Sequence, residues 1–169
     1  MDKNLLNDIL IKLKKMGCDE ADVFFSKDNT VSSSSRLGKI DKTEESQTTE
    51  VGIMVILDKK QSIVSTTNLE KKNIYDLVEK AFQMAKVVPE DKFCGLAKTV
   101  DIKKFNPKDI LNLKLSDPYK PSIEEIKNKV ITLEESALTN KKITNSEGAE
   151  VAYSKNSFCL LGSNGLEIE

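Results

Sequence analysis

Apolar positions in this chain fall into two rhythms, one repeating every second residue and one near every 3.6. The densest run is Val51–Thr67, VGIMVILDKKQSIVSTT, where Val51, Ile53, Val55 and Leu57 alternate with Gly52, Met54 and Ile56. Both sets are apolar or small, which predicts a core strand covered on both sides. Asp58-Lys59-Lys60-Gln61 interrupts the run and Ser62-Ile63-Val64-Ser65 resumes it, the pattern of a hairpin. That turn carries no glycine, so its type stays open. Three segments follow the helical rhythm instead. Leu5, Leu6, Ile9, Leu10, Leu13 and Met16 share one face up to Gly17, with lysines toward the end where the helix dipole favours them. Ile74, Leu77, Val78, Ala81, Phe82, Ala85 and Val88 define a longer helix from about Asn68 to Pro89. Ser122-Ile123-Glu124-Glu125 has capping-box spacing, and Ile126, Val130, Leu133 and Ala137 continue a buried face to about Thr139.

The stretches between these elements are more polar. From Asp19 to Gln47 two strands are predicted: Ala21, Val23 and Phe25 lead into Asn29 to Arg36, Arg36-Leu37-Gly38-Lys39 makes a turn or bulge, and Lys39 to Thr48 returns. Thr30-Val31-Ser32-Ser33-Ser34-Ser35 reads as a strand with small side chains rather than a linker, leaving room for another element of the protein or an extended peptide. Pro89 to Leu96 is expected to turn, with Phe93 and Leu96 filling a gap between sheet and helix. Ala97 to Pro121, containing Pro107, Pro118 and Pro121, reads as a crossing segment. Lys142 to Gly148 is expected to be a short strand and turn, and Ala149 to Leu161 a further strand ending in Gly162-Ser163-Asn164-Gly165. The order helix, strand, turn, strand thus occurs twice, a weak internal repeat. The predicted fold class is α+β: an antiparallel sheet, with about four strands in its first half and helices packed on one face, followed by the start of a second helix-strand unit. The domain division expected is 1–96, 97–121 and 122–169.

Composition narrows the function more by exclusion than by pointing. Lys+Arg number 26 against Asp+Glu 27, a net charge of -1 over 169 residues, so no basic excess favours nucleic acid. The first residues hold no apolar run long enough for a signal or a membrane span, and the first helix is not strongly cationic along its polar face, so it is expected to dock on its own sheet rather than on a membrane. A cytoplasmic setting is the default. Three scattered cysteines, Cys18, Cys94 and Cys159, form no CxxC pair and read as reduced, buried fillers. There is no histidine, which removes Ser-His and Cys-His couples and an HExxH zinc site.

What remains as chemistry is slight. Glu44-Glu45 and Glu134-Glu135 are adjacent carboxylates that do not face each other and are expected to be solvated. Gly162-Ser163-Asn164-Gly165 offers backbone N–H groups that would suit a phosphate, but it lacks the Lys-Ser/Thr tail of a phosphate loop, and a plain turn is the better reading. Arg36 is the single arginine and sits among serines, where it would suit a carboxylate.

A wider resemblance rests on motifs spread along almost the whole chain: Ser35-Arg36-Leu37-Gly38-Lys39-Ile40 with Glu44-Glu45-Ser46, Ser65-Thr66-Thr67-Asn68-Leu69, Pro89-Glu90-Asp91 with Gly95-Leu96, Phe105-Asn106-Pro107, Ile143-Thr144-Asn145-Ser146-Glu147-Gly148-Ala149, and Ser163-Asn164-Gly165. In this order they resemble the N-terminal part of the TldD/PmbA family, its PmbA (TldE) branch in particular. The resemblance implies a cytoplasmic heterodimeric metallopeptidase that removes leader peptides or degrades unfolded small proteins, with an older association with DNA gyrase modulation. In it a TldD-like subunit carries an HExxxH zinc motif, and a PmbA-like subunit pairs with it and lacks that site. The 122–169 unit would lead into a C-terminal domain absent from this chain. The chain itself is therefore expected to have no catalytic residue and no metal site, to need zinc only in the TldD-like partner, and to be inactive alone. Its expected partners are that TldD-like subunit and an unfolded peptide, with no nucleic acid and no membrane. Ser33, Ser35, Arg36, Asn145, Ser163 and Asn164 are the positions expected to face substrate or the subunit interface. The rival reading is a non-enzymatic peptide- or protein-docking domain.

Overall fold

The structure is a computed structural model that describes residues 3–102 and 112–169. Its elements in chain order are α1 (Lys3–Lys15), β1 (Glu20–Arg36), β2 (Lys39–Leu57), β3 (Lys60–Thr66), α2 (Lys71–Val87), a single 3-10 turn (Thr99–Asp101), α3 (Ile123–Leu138), β4 (Ala149–Gly162) and β5 (Glu167–Ile168). The five strands form one sheet in the order β3-β2-β1-β4-β5, with β3 antiparallel to β2 and β5 antiparallel to β4. This is the α+β architecture expected. Phe105-Asn106-Pro107, part of the expected crossing segment, lies outside the described residues.

Contacts gather the described residues into two compact units, neither continuous in sequence: Met1–Lys27, Thr48–Lys104 and Ser157–Glu169 in the first, Asp28–Gln47 and Phe105–Asn156 in the second. This differs from the sequential division at 96/97 and 121/122, because β1, β2 and β4 each contribute residues to both units.

The first unit holds the main core. Leu6, Ile9 and Leu13 of α1 and Ile74, Val78, Ala81, Phe82 and Ala85 of α2 close over Ala21, Val23, Val51, Ile53, Val55, Cys159 and Leu161 of the strands. The helices do so because these positions recur every three to four residues, whereas the strand positions recur every two. Inside this core the Ser62 hydroxyl donates to the Ala81 carbonyl at 2.6 Å, tying β3 to α2. The two faces of β2 are covered unequally: Val51, Ile53 and Val55 are fully buried, while on the other face Ile56 is buried, Gly52 and Met54 are half-buried and Ile63, opposite Met54, is exposed. The expectation of a strand covered on both sides therefore holds at Ile56 and only in part at Gly52 and Met54. Asp58 and Lys59 both take positive φ (49° and 59°), the requirement of a two-residue type I′ hairpin turn, here met without glycine. Asp19 Oδ2 accepts from the Asp58 N–H at 2.7 Å and supports that turn.

Two further expectations change. Lys39 to Thr48 and Val51 to Leu57 are one strand of 19 residues rather than two, so the first half of the chain supplies three strands. Thr48-Thr49-Glu50 has no turn former and threonine favours extended backbone, so nothing interrupts the run. Phe93 does not fill a gap: it is 84% exposed, and the small Cys94 beside it is the buried plug. The backbone explains this, since Leu96 N–H is held by Glu20 Oε2 (2.9 Å) and Cys94 O by Lys59 Nζ (3.2 Å), which turns the Phe93 ring outward.

The second unit is leaner. Its helix α3 opens with the capping box foreseen from sequence: Ser122 Oγ accepts from Glu125 N–H (3.2 Å) and Glu125 Oε2 from Ser122 N–H (2.7 Å). Its buried stripe is Ile126, Val130 and Glu134, spaced four apart, whereas the expected Leu133 is 50% exposed and Ala137 is exposed. Lys142 to Gly148 is not a strand, because side chains occupy its backbone instead: Asn140 Oδ1 accepts from Lys142 N–H (3.0 Å) and Ser146 Oγ from Gly148 N–H (2.9 Å). Among the described residues no helix is long and apolar enough to cross a membrane.

Candidate functional site

The serine run on β1 is where the second unit departs most from an ordinary core. Strand alternation sends Ser33 and Ser35 to one face and Ser32 and Ser34 to the other. Ser33 and Ser35 are each 1% exposed. The Ser33 hydroxyl donates to Lys42 O at 3.1 Å and lies 3.1 Å from Thr43 Oγ1, and the Ser35 hydroxyl lies against α3, 3.2 Å from Val130 O and 3.0 Å from Glu134 Oε2. The room left by these small side chains is therefore taken up within the protein, at Ser35 by α3. The face that stays open is that of Ser32 and Ser34, which with Lys42, Glu44 and Glu150 line a cleft of about 230 Å³. Beside it, Ser34, Arg36, Asp41, Glu147 and Glu150 border a second shallow cleft of about 260 Å³. Lys42 and Glu44 form an exposed ion pair at 2.7 Å, which raises the Lys42 pKa through its bond to Glu44.

Glu134, expected to be solvated, is 1% exposed. Its Oε1 accepts from Leu37 N–H at 2.8 Å and its Oε2 from Gly38 N–H at 3.1 Å, in addition to the Ser35 hydroxyl. Burial pushes its pKa up, but the bonds from Gly38, Leu37, Ser146 and Ser35 outweigh that and hold the carboxyl below the ordinary glutamate range. A buried carboxylate with that donor set is an anchor for the hairpin tip. Sequence carried one clue to it, since Glu134 follows Ile126 and Val130 at helical spacing on the buried stripe.

Of the six sequence-chosen positions, Ser33, Ser35, Arg36 and Asn145 belong to the second unit and Ser163 and Asn164 to the first. Ser35 and Arg36 adjoin the same cleft, and Asn145 is exposed in the loop before Ser146. In the first unit Ser163 Oγ accepts from Ala21 N–H (2.9 Å) while its own N–H donates to Ala21 O (2.8 Å). Asn164 Nδ2 donates to Ala97 O (2.9 Å) and its Oδ1 accepts from Leu166 N–H (3.1 Å). The N–H groups of Gly162, Ser163 and Gly165 all have protein acceptors, so this is a plain turn and not a phosphate cradle. Next to it Leu10, Ile11, Cys18, Asp19, Ser163 and Gly165 border a cleft of about 350 Å³.

No activated thiol lines these surfaces. The Cys18 sulfhydryl donates to Glu20 O at 2.9 Å, and burial raises the thiols of Cys18 and Cys159 above their ordinary range. Among the described residues no three Cys, Asp or Glu side chains come together as a metal site, so the residues present do not fit a zinc ion.

One backbone feature stands apart from these clefts. β3 pairs with β2 only over Val51–Leu57, so the twelve residues of β2 from Lys39 to Glu50 have no strand on that side among the described residues. Their side chains are exposed or half-buried and of both charges, Lys39, Asp41, Lys42, Glu44 and Glu45 among them.

Comparison with known proteins places this geometry. Residues 21–85 match the family model of PmbA/TldA metallopeptidase domain 1. Over 131 residues the chain is 30% identical to Metalloprotease PmbA of Escherichia coli O157:H7, covering 77% of this chain and 28% of that protein. The structure of TldE from Thermococcus kodakarensis matches with a TM-score of 0.75 at 19% identity, over 97% of this chain and 36% of that one. A protein of Bacteroides thetaiotaomicron VPI-5482, described as a candidate modulator of DNA gyrase, matches with a TM-score of 0.76 at 19% identity, over 98% and 37%. At such identity the two structures speak for the fold alone. The chain spans 28% of the curated relative it matches.

Proposed function

Because the chain belongs to the TldD/PmbA family as an N-terminal domain, we propose that it serves a PmbA/TldE-like subunit by pairing with a TldD-like subunit and enclosing an unfolded peptide. In this reading catalysis is left to the TldD-like subunit, a division that the absence of histidine from this sequence supports. In this reading zinc belongs to the TldD-like subunit, and no step runs through this chain.

The observation that supports the reading is the uncovered edge of β2 from Lys39 to Glu50. Along a strand edge, N–H and C=O groups alternate and accept an extended peptide by main-chain hydrogen bonds, whatever its side chains. A subunit that handles unfolded peptides for proteolysis or leader removal needs that indifference to sequence. The mixed charges along the edge keep it from pairing with copies of itself. Three free thiols fit a reducing compartment such as the cytoplasm.

The test is co-purification of this chain, and of any longer product of its gene, with a TldD-like subunit, followed by chelator-sensitive cleavage of an unfolded peptide. The proposal expects pairing and zinc-dependent cleavage with the longer product. Binding of peptide or partner without any cleavage by either product would favour a non-enzymatic docking domain. Absence of both pairing and cleavage would refute the proposal.

A further inference from the structure

We propose that the tip of the β1–β2 hairpin is a carboxylate-binding site which α3 fills from within the chain, Glu134 being its resident ligand and the lock that holds the hairpin in place. Leu37 and Gly38 both take positive φ (52° and 74°), as the tight turn requires. Their consecutive N–H groups, both aimed at one carboxylate, form a concavity of the kind that binds anions. The Ser35 hydroxyl has one proton and two acceptors in reach. It serves the carboxylate, the nearer and the charged one, rather than Val130 O.

An ionised carboxylate offers about four acceptor positions and no donor, and here two backbone N–H groups and the Ser35 hydroxyl meet it. No ion pair of the described residues includes Glu134, so neutral dipoles alone hold the charge. The site is also rigidly walled. A side chain at Gly148, whose φ is 120°, would place its Cβ 2.5 Å from Ser35 O. Such a site recognises the carboxylate group and not the residue that carries it. Vacated, it should accept formate or acetate.

The experiment uses the full chain carrying Glu134→Ala, read by amide exchange of Leu37 and Gly38, with formate or acetate added against chloride at equal ionic strength. The expected result is exchange at both amides faster by on the order of 10-fold or more, slowed again by formate and not by chloride or formamide. Unchanged exchange in the variant, or faster exchange with no response to carboxylate, would overturn the proposal. Should the variant not fold, couplings across hydrogen bonds from the Leu37 and Gly38 nitrogens to Glu134 Cδ in the unmodified chain decide. Their presence supports the site and their absence overturns it.

Discussion

Replacing Ile53 by alanine should weaken the first unit several times more than the same replacement at Ile63, although the two side chains belong to neighbouring strands. Ile53 is 0% exposed among the helices, whereas Ile63 is 63% exposed on the outer face. Each replacement removes three carbons, and at about 0.8 kcal/mol per buried carbon the transfer loss at Ile53 is about 2.4 kcal/mol. The cavity left between β2 and α2 adds to this, which brings the expected cost to roughly 3–4 kcal/mol. Ile63 has about a third of that area to lose and leaves no closed cavity, so its cost should stay below about 1 kcal/mol. Urea unfolding followed by far-ultraviolet circular dichroism reads the difference. With a slope of about 1–3 kcal/mol per molar, the midpoint should fall by roughly 1–4 M for Ile53→Ala and by less than about 1 M for Ile63→Ala. Equal losses at the two positions would refute the burial of Ile53 and the exposure of Ile63 on which the difference rests.

Three other outcomes follow from the same packing. Gly148→Ala should cost the second unit more than about 2 kcal/mol, since its φ of 120° is strained for alanine and its Cβ meets Ser35 O. Gly17→Ala, with positive φ but open space around it, should cost only about 1 kcal/mol, and similar losses measured by amide exchange would contradict the steric account. Acid should loosen α3. Glu125, through its bonds to Ser122, and Glu134, where hydrogen bonds outweigh burial, are both held below the ordinary glutamate value of 4.5. Carboxyls depressed in the folded state contribute stability above the unfolded value and lose it as pH falls through the folded one. Protection of the α3 amides, taken relative to their intrinsic exchange at each pH, should therefore fall below pH 4.5, less so in Glu134→Gln, and pH-independent protection would count against both anchors. Thiol labelling of the native chain should modify Cys18 slowly and leave the buried Cys94 and Cys159 untouched until unfolding; rapid labelling of Cys159 would contradict its burial.

Much of the fold was legible because local chemistry and tertiary packing agree at the places concerned. Ser122 and Glu125 announce α3 by their spacing, Gly38 marks the first hairpin turn, and α1 and α2 bury the faces their periodicity defines. The misses have a common physical cause. Glu134 was assigned to solvent, yet it is buried because it and Ser35 satisfy one another and the hairpin backbone. Such satisfaction depends on contacts about a hundred residues apart, which no local pattern carries. The polar half of β2 looked like a strand of its own for the related reason that no buried face links it by alternation to Val51. The candidate peptide-binding feature was legible only as room beside the serine run. At Ser35 that room is filled by α3, one of the two occupants expected, while the Ser32 and Ser34 face stays open and so does the backbone edge one strand further out among the described residues.

That edge is where the functional account is most directly exposed to test. Amide exchange along β2 should be measured with and without an unfolded peptide, in the assembled pair with a TldD-like subunit. The account predicts that within Lys39 to Glu50 every second amide, the set pointing away from β1, gains protection when peptide is added, while Val51 to Leu57, already paired with β3, stays unchanged. Peptide cleavage by the pair with no change along Lys39 to Glu50 would contradict it.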